Sequence, residues 1–265
     1  MKIAIIGGGI NGVMAAWELC KNNNTVTIYE KNTVMSQTSS ASSKLLHGGL
    51  RYLENFEFRL VKEALRERKW WISQAPLIAK PIKIFIPVYK KSRRPAWLYK
   101  LGLCLYDLFA GKVNLGKHKS HNKDEMQNLC PDLITDNLVK GFSYFDGQMD
   151  DYELGMWAVN KVKKYKKFKL LEKTTVSKVD INGVVYFKDR KEHFDKIINI
   201  TGPWANKLLS DSNVNSDYEL DLVRGSHIII NRKLKQGYFL EVPNERRIFF
   251  VLPYKSQTLI GTTEV

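Results

Sequence analysis

Residues 3–12, Ile-Ala-Ile-Ile-Gly-Gly-Gly-Ile-Asn-Gly, drive an apolar strand straight into a glycine-rich turn, and the run from Val13 to Cys20 behind it favours a helix. Gly7, Gly9 and Gly12 have the G-x-G-x-x-G spacing. In that pattern the first glycine permits the tight turn, the second lets backbone approach a pyrophosphate, and the third lets helix and strand pack closely. Free N–H groups and the dipole at the helix N-terminus favour an anion there. A second strand, Thr25 to Tyr29, ends in Glu30. This is about the twenty-residue distance at which an acidic side chain takes ribose hydroxyls. Strand, glycines, helix, strand and terminal acid in register predict a dinucleotide-binding unit of an α/β protein.

A chain of 265 residues is long enough to bury one large core or two smaller ones. Its formal net charge of +15 sets up a field that attracts anions. Nucleic acid, an anionic membrane surface and a phosphorylated substrate all fit that field. No nucleic-acid motif accompanies the charge, so no nucleic-acid partner is expected. Much of the lysine excess lies in runs such as Lys161 to Lys169, which read as a solvated helix face. Cys20, Cys104 and Cys130 lack any metal-ligand spacing, so they are expected to be reduced thiols in a cytosolic compartment, with no metal. The N-terminus does not follow a signal-peptide pattern, and no apolar run approaches the roughly 18 residues of a membrane span. A soluble or peripheral protein is expected.

Along the chain, residues 56–74 have helical periodicity, Ile82 to Val88 reads as a strand, and Ala96 to Phe109 as an amphipathic helix. Gly111 to Asp151 reads as loop-rich. Asp151 to Tyr165 is then helical, and short strands at Lys169 to Lys173, Thr175 to Asp180 and Val184 to Lys188 follow, the last two paired across Asn182-Gly183. The strand beginning at Lys196 runs into Thr201-Gly202-Pro203 and is expected to return the chain to the dinucleotide sheet. Strands are expected again at 227–230, 237–242, 248–252 and 258–261. The predicted architecture is a Rossmann-like domain, 1–75 and 150–222, interrupted by a mixed or antiparallel-sheet substrate domain, 76–149 and 223–265.

At residues 39–54, Ser-Ser-Ala-Ser-Ser-Lys-Leu-Leu-His-Gly-Gly-Leu-Arg-Tyr-Leu-Glu, the chain resembles FAD-dependent, quinone-linked glycerol-3-phosphate dehydrogenases. Phe58 to Val61, Glu63 to Leu65, Arg94 to Trp97, Thr201 to Trp204, Gly225 to His227 and Gly261 to Thr263 resemble further segments of that family, in the same order. The resemblance implies FAD as cofactor and glycerol 3-phosphate as substrate. It implies removal of hydride from C2 to flavin N5 with release of dihydroxyacetone phosphate, and quinone as electron acceptor. An oxygen-using glycerol-3-phosphate oxidase, or a non-catalytic flavin-binding protein, are the alternatives. Family members are longer and carry a phosphate-holding arginine and a Gly-Gly-Lys segment beyond the matched region. Leu259 to Val265 reads as a strand running off the end, so a partial sequence is expected.

By the same resemblance, Arg51 and Tyr52 lie at the substrate, where an arginine's planar fork suits a phosphate. Arg51 as an ordinary surface arginine is the alternative. His227 resembles an active-site residue and is a candidate proton acceptor, or else a strand-end histidine. The flavin site implied comprises Gly7, Gly9, Asn11, Gly12, Glu30, Ser39, Ser40, Ser42, Ser43, Lys44, Leu46, His47, Gly48, Gly49, Val176, Thr201 and Gly202. For His47 a hydrogen bond to flavin and a purely structural role weigh evenly. The serines are alternatively a flexible linker, and Val176, Thr201 and Gly202 alternatively ordinary strand residues. Arg93 to Lys112 is basic at its ends and apolar between, which suits either a helix covering its own domain or peripheral contact with the inner face of the cytoplasmic membrane. An oligomer is compatible with all of this.

Overall fold

The computed structural model describes residues 1–243, 245 and 247–263; the last two residues of the expected terminal strand lie outside that range. In chain order the elements are β1 (Lys2–Ile6), α1 (Ile10–Lys21), β2 (Thr25–Tyr29), β3 (Leu45–Leu46), α2 (Phe58–Gln74), β4 (Ala79–Tyr89), α3 (Ala96–Ala110), β5 (Lys119–His121), α4 (Lys123–Leu129) and β6 (Leu138–Met149). There follow α5 (Asp151–Val162), β7 (Phe168–Leu171), β8 (Lys178–Val179), β9 (Val184–Tyr186), β10 (Lys191–His193), β11 (Lys196–Asn199) and α6 (Ala205–Asp211). The chain closes with β12 (His227–Ile230), β13 (Gly237–Glu241), β14 (Ile248–Tyr254) and β15 (Gln257–Gly261). It divides into two compact units, residues 1–42 with 150–222 and residues 43–149 with 223–265.

The first unit is a parallel sheet in the order β11-β1-β2-β7. Period-2 alternation in β1 sends Ile5 toward Gly12 of α1, while Ala4 and Ile6 join Tyr29, Val185, Phe194 and Leu208 in a core on the other face. That second face is covered by the three-stranded sheet β10-β9-β8 and by α6. The β8–β9 hairpin forms across Asn182-Gly183 as expected, with Gly183 at φ +82° and the Asp180 carboxylate accepting from the Asn182 and Val184 amides. β11 returns beside β1 in parallel register, which is the predicted re-entry. On the helical side Trp17 of α1 meets Trp157 of α5 edge-on, centroids 5.7 Å apart.

The second unit is a largely antiparallel sheet in the order β12-β15-β14-β13-β4-β6-β3, with β5 added on β6. β4 alternates Ile82, Ile84, Ile86 and Val88 toward α2 and α3, where Val61, Leu65, Leu103 and Tyr106 complete a core. Each such aliphatic side chain contributes about 1.5–3 kcal/mol on burial. Two sequence expectations change here. Residues 43–75, expected in the first domain, belong to the second unit, because Val61 and Leu65 on the buried stripe of α2 pack on β4 and β6. The expected loop-rich stretch from Gly111 to Asp151 contains β5, α4 and the 12-residue β6. β6 lacks a plain strand signature because Gly141 and Gly147 make room for Met126 and for Leu46 and Arg68, and because it buries Ser143 and Asp146 with partners.

Candidate functional site

The turn after β1 has little freedom. Gly7 sits at φ +114°, and a Cβ there would lie 2.3 Å from the Ile200 carbonyl oxygen. A Cβ on Gly12 would lie 2.2 Å from the Gly7 carbonyl oxygen, which is the close helix-to-turn packing predicted from the spacing. Glu30, at the end of β2, accepts from the Gly8 amide (2.8 Å) and the Asn32 amide (2.8 Å), so its carboxylate is fixed across the turn. Ser39 Oγ accepts from the Ile10 amide at 2.9 Å, bringing a hydroxyl to the N-terminus of α1.

Of these, Gly7, Gly8, Glu30, Ser39 and Ile200 line a cavity of about 670 Å³ within the first unit, and Gly12 packs behind the turn outside the lining. The volume is in the range of small-molecule and cofactor sites. Gly7, Gly9, Asn11, Glu30, Ser39, Val176, Thr201 and Gly202, all singled out in the sequence, meet there. Polar groups of the turn, Glu30 and Ser39 lie beside apolar Ile6, Met35, Val176 and Leu208, a lining that combines donors for a diphosphate with apolar wall for a base. Lys31 and Trp204, also in the lining, were not anticipated; the Lys31 ammonium stands 4.5 Å over the Trp204 ring. The first unit therefore fits the adenosine-diphosphate portion of a dinucleotide. The other expected serines of that unit are engaged elsewhere: Ser40 Oγ donates to the Gln37 carbonyl, and Ser42 donates through both its amide and its hydroxyl to Asp151 Oδ2.

In the second unit, Ser43 Oγ and His227 Nε2 are 3.2 Å apart, and Lys44 is buried with its ammonium 5.7 Å from the Tyr254 ring centroid. Burial, and then the nearby Lys44 charge, push the His227 imidazole below its ordinary pKa, so it is neutral at neutral pH. Gly261 lies against that ring, where a Cβ would come within 2.4 Å of Cδ2. Leu46 pairs with Gly147 in the sheet. The loop after it exposes His47, buries Gly48, and turns at Gly49 with φ +79°; the His47 and Tyr52 rings meet edge-on at 6.0 Å. Arg51 is exposed on the following 3-10 turn.

Beneath that loop lies a network the sequence reading missed. The Gly48 amide donates to Asp146 Oδ1 at 2.9 Å, and the same oxygen accepts from Arg68 Nη1 (3.0 Å), Tyr106 Oη (3.2 Å) and the Gly147 amide (3.2 Å). Burial pushes the Asp146 carboxyl up, against the pull of Arg68. Arg68 itself is 2% exposed, and its Nε and Nη2 have no hydrogen-bond partner among the described residues. The available signal was Arg68 falling on the apolar stripe of α2 with Val61, Leu65 and Ile72. Among the described residues no cluster of three His, Cys, Asp or Glu side chains is placed to hold a metal.

Residues 2–265 match the sequence family described as FAD dependent oxidoreductase. A glycerol-3-phosphate dehydrogenase of Pseudomonas tolaasii is 35% identical over 99% of this chain and 52% of its own. A D-erythritol 1-phosphate dehydrogenase of Brucella abortus (strain 2308) is 36% identical over 98% of this chain and 54% of its own. The chain thus spans about half the length of the curated relatives it matches. The solved glycerol-3-phosphate dehydrogenase from Bacillus halodurans complexed with FAD shares the fold, with TM-score 0.79 and 22% identity over 100% of this chain and 47% of that one. With the family match running through both units, this chain belongs to the FAD-dependent oxidoreductase family.

Proposed function

We propose that this chain carries the FAD-binding part, and some of the substrate-binding part, of an enzyme that oxidises glycerol 3-phosphate to dihydroxyacetone phosphate and passes the electrons to quinone. The observation that carries the reading is the first unit's cavity, whose glycine turn, fixed Glu30 carboxylate and Ser39 hydroxyl suit the cofactor of the family. FAD, when bound, supplies the acceptor for the hydride from C2.

Gly7, Gly9, Asn11, Glu30, Ser39, Val176, Thr201 and Gly202 hold the adenosine-diphosphate end in this reading. Ser43, Lys44 and the 46–49 loop serve the remainder. Arg51 and Tyr52 bind the substrate, with Arg51 placing a guanidinium at the phosphate. His227 receives the substrate hydroxyl proton; its neutral imidazole is the state that a proton acceptor needs. Relatives acting on glycerol and erythritol phosphates support a polyol phosphate as the substrate class.

No helix among the described residues is long and apolar enough to cross a membrane. On α3, however, Trp97, Leu101 and Leu108 are 67%, 49% and 70% exposed at spacings that share one helix face. Basic Arg93 and Lys112 flank this face in sequence. We assign it to peripheral contact with an anionic membrane on the cytoplasmic side.

The test is the visible spectrum of the purified chain reconstituted with FAD, before and after anaerobic addition of glycerol 3-phosphate. A flavin band that bleaches, and is restored by a soluble quinone without peroxide release, supports the full reading. Restoration by oxygen with peroxide replaces quinone by oxygen as acceptor. A flavin band that does not bleach removes catalysis from this chain, and folded protein with no flavin band overturns the cofactor assignment.

A further inference from the structure

The exposed face of α3 carries a second constellation, remote in sequence from every residue assigned above to cofactor or substrate. Lys100, Cys104 and Asp107 follow one another at spacings of four and three, so they line one side of the helix. His118, on the segment leading into β5, lies against them. Its Nδ1 is 2.7 Å from Asp107 Oδ2, and its backbone amide donates to the same oxygen at 3.0 Å. Asn114 Nδ2 donates to Asp107 Oδ1 at 3.1 Å, which fixes the carboxylate from its other side. The side chains of His118 and Asp107 are only 10% and 17% exposed. A carboxylate held by these donors fixes the imidazole with its proton on Nδ1 and its lone pair on Nε2.

Two donors lie against that lone pair, the Lys100 ammonium and the Cys104 thiol. Nε2 is 3.8 Å from Cys104 Sγ, within reach of a sulfur hydrogen bond, and 3.2 Å from the Lys100 ammonium. The three cysteines are not equivalent. Cys20 and Cys130 are buried, and burial pushes both thiols up, away from the reactive thiolate. Cys104 is exposed and has an oriented proton acceptor and a cation beside it.

We propose that Cys104 is a reactive modification site, taking small disulfides by thiol–disulfide exchange, with His118, oriented by Asp107, accepting its proton. In the step, the Sγ–H proton passes to Nε2 and the Cys104 thiolate attacks one sulfur of the disulfide. A new S–S bond to Cys104 forms, the original S–S bond breaks, and the second sulfur leaves as a thiolate. Cys104 and one half of the disulfide become the mixed disulfide while the other half is reduced, so no further oxidant enters. As Nε2 takes the proton, the Lys100 ammonium that lay against it turns to the attacking thiolate, one helical turn away. The adduct would stand between Leu101 and Leu108 on the exposed apolar face of the helix.

The test uses the purified chain and 4,4′-dithiodipyridine, a neutral probe whose rate the chain's positive field does not raise. Native protein is expected to release one fast equivalent, with the other two thiols appearing after denaturation. The fast rate is expected to exceed that of glutathione near neutral pH by about tenfold, consistent with activation by a neighbouring base. Cys104→Ser should abolish the fast phase. His118→Gln should lower its rate by about fivefold or more, and Lys100→Gln, an exposed change that leaves the His118–Asp107 pair in place, by about twofold. The count of fast thiols reports folding in the same trace, since an unfolded variant releases all three. If His118→Gln behaves so, Lys100→Gln decides. A fast phase no quicker than glutathione, or one that neither variant slows, overturns the proposal and leaves His118–Asp107 as a helix-to-loop tether.

Discussion

Removing the Arg68 side chain would leave the Asp146 carboxylate in a fully buried position with three of its present donors, the Gly48 and Gly147 amides and Tyr106. Breaking a buried pair from one side typically costs about 3–5 kcal/mol, because the remaining charge is uncompensated. Arg68→Met is expected near the lower end, about 3 kcal/mol at neutral pH, because Met fills similar volume and also removes two unpartnered N–H donors. Burial already holds the Asp146 carboxyl above its ordinary range, and losing Arg68 raises it further. A carboxyl raised in the folded state binds protons more readily there than in the unfolded chain, so stability falls as pH rises through the raised value. Denaturant titrations should therefore show the Arg68→Met penalty shrinking toward acid pH; a penalty independent of pH would mean that Asp146 is not the group left exposed to the loss. At this scale the sequence was legible where chemistry is local. The turn at Gly7, the close packing at Gly12 and the strand ending at Glu30 were legible because turn, helix start and strand end lie within about 25 residues, whereas Asp146 meets Gly48 across 98 positions that no spacing rule connects.

β6 shows why an element can be decisive and still escape pattern reading. Its alternation, Phe142, Tyr144 and Asp146, points one way toward α2 and α3, and the third member of the series is a carboxylate in place of a hydrophobe. Its opposite face carries Ser143, paired with His121 of β5 at 2.8 Å. His121 is buried against Phe85, and burial together with Lys83 pushes its imidazole below the ordinary value. The unfolded chain then binds a proton near pH 6.5, roughly the free value, while the folded chain does not. Stability is thus expected to fall as pH drops below about 6.5. His121→Gln, which keeps a partner for Ser143, should flatten that part of a stability-versus-pH curve, and an unchanged slope would rule His121 out as its source. α3 was read correctly as an amphipathic helix, but its periodicity left open which face is covered. The structure puts Tyr99, Leu103, Tyr106 and Ala110 inside and leaves Trp97, Leu101 and Leu108 out. Replacing Leu101 and Leu108 together by Ser should lower the affinity for anionic vesicles, read by co-sedimentation, by about a hundredfold or more, given about 1.5–3 kcal/mol for each fully buried aliphatic side chain. Retention of full binding would move any membrane contact off this helix.

For the whole molecule, the two-part organisation and the return of the chain to the parallel sheet were legible, because the βαβ opening and the late Thr-Gly-Pro turn bracket an inserted stretch. The first crossing point was not, since the segment from Ser43 to Ala75 follows the dinucleotide motif in sequence but joins the second sheet through β3 and the buried stripe of α2. The division has a thermodynamic consequence. Every lining residue of the cavity lies in the first unit, so a ligand bound there stabilises that unit by mass action. At a free FAD concentration about a hundredfold above its dissociation constant the gain is about 2.7 kcal/mol. Where the units melt in separate transitions, the contribution of the adenosine-diphosphate end falls on the first unit's. Calorimetry of the chain with and without FAD is expected to raise one transition in a concentration-dependent way. Gly7→Ala, whose methyl group would meet the Ile200 carbonyl at 2.3 Å with φ at +114°, should remove that dependence and lower the same transition even without FAD. A shift that survives Gly7→Ala would place the flavin somewhere other than the glycine turn.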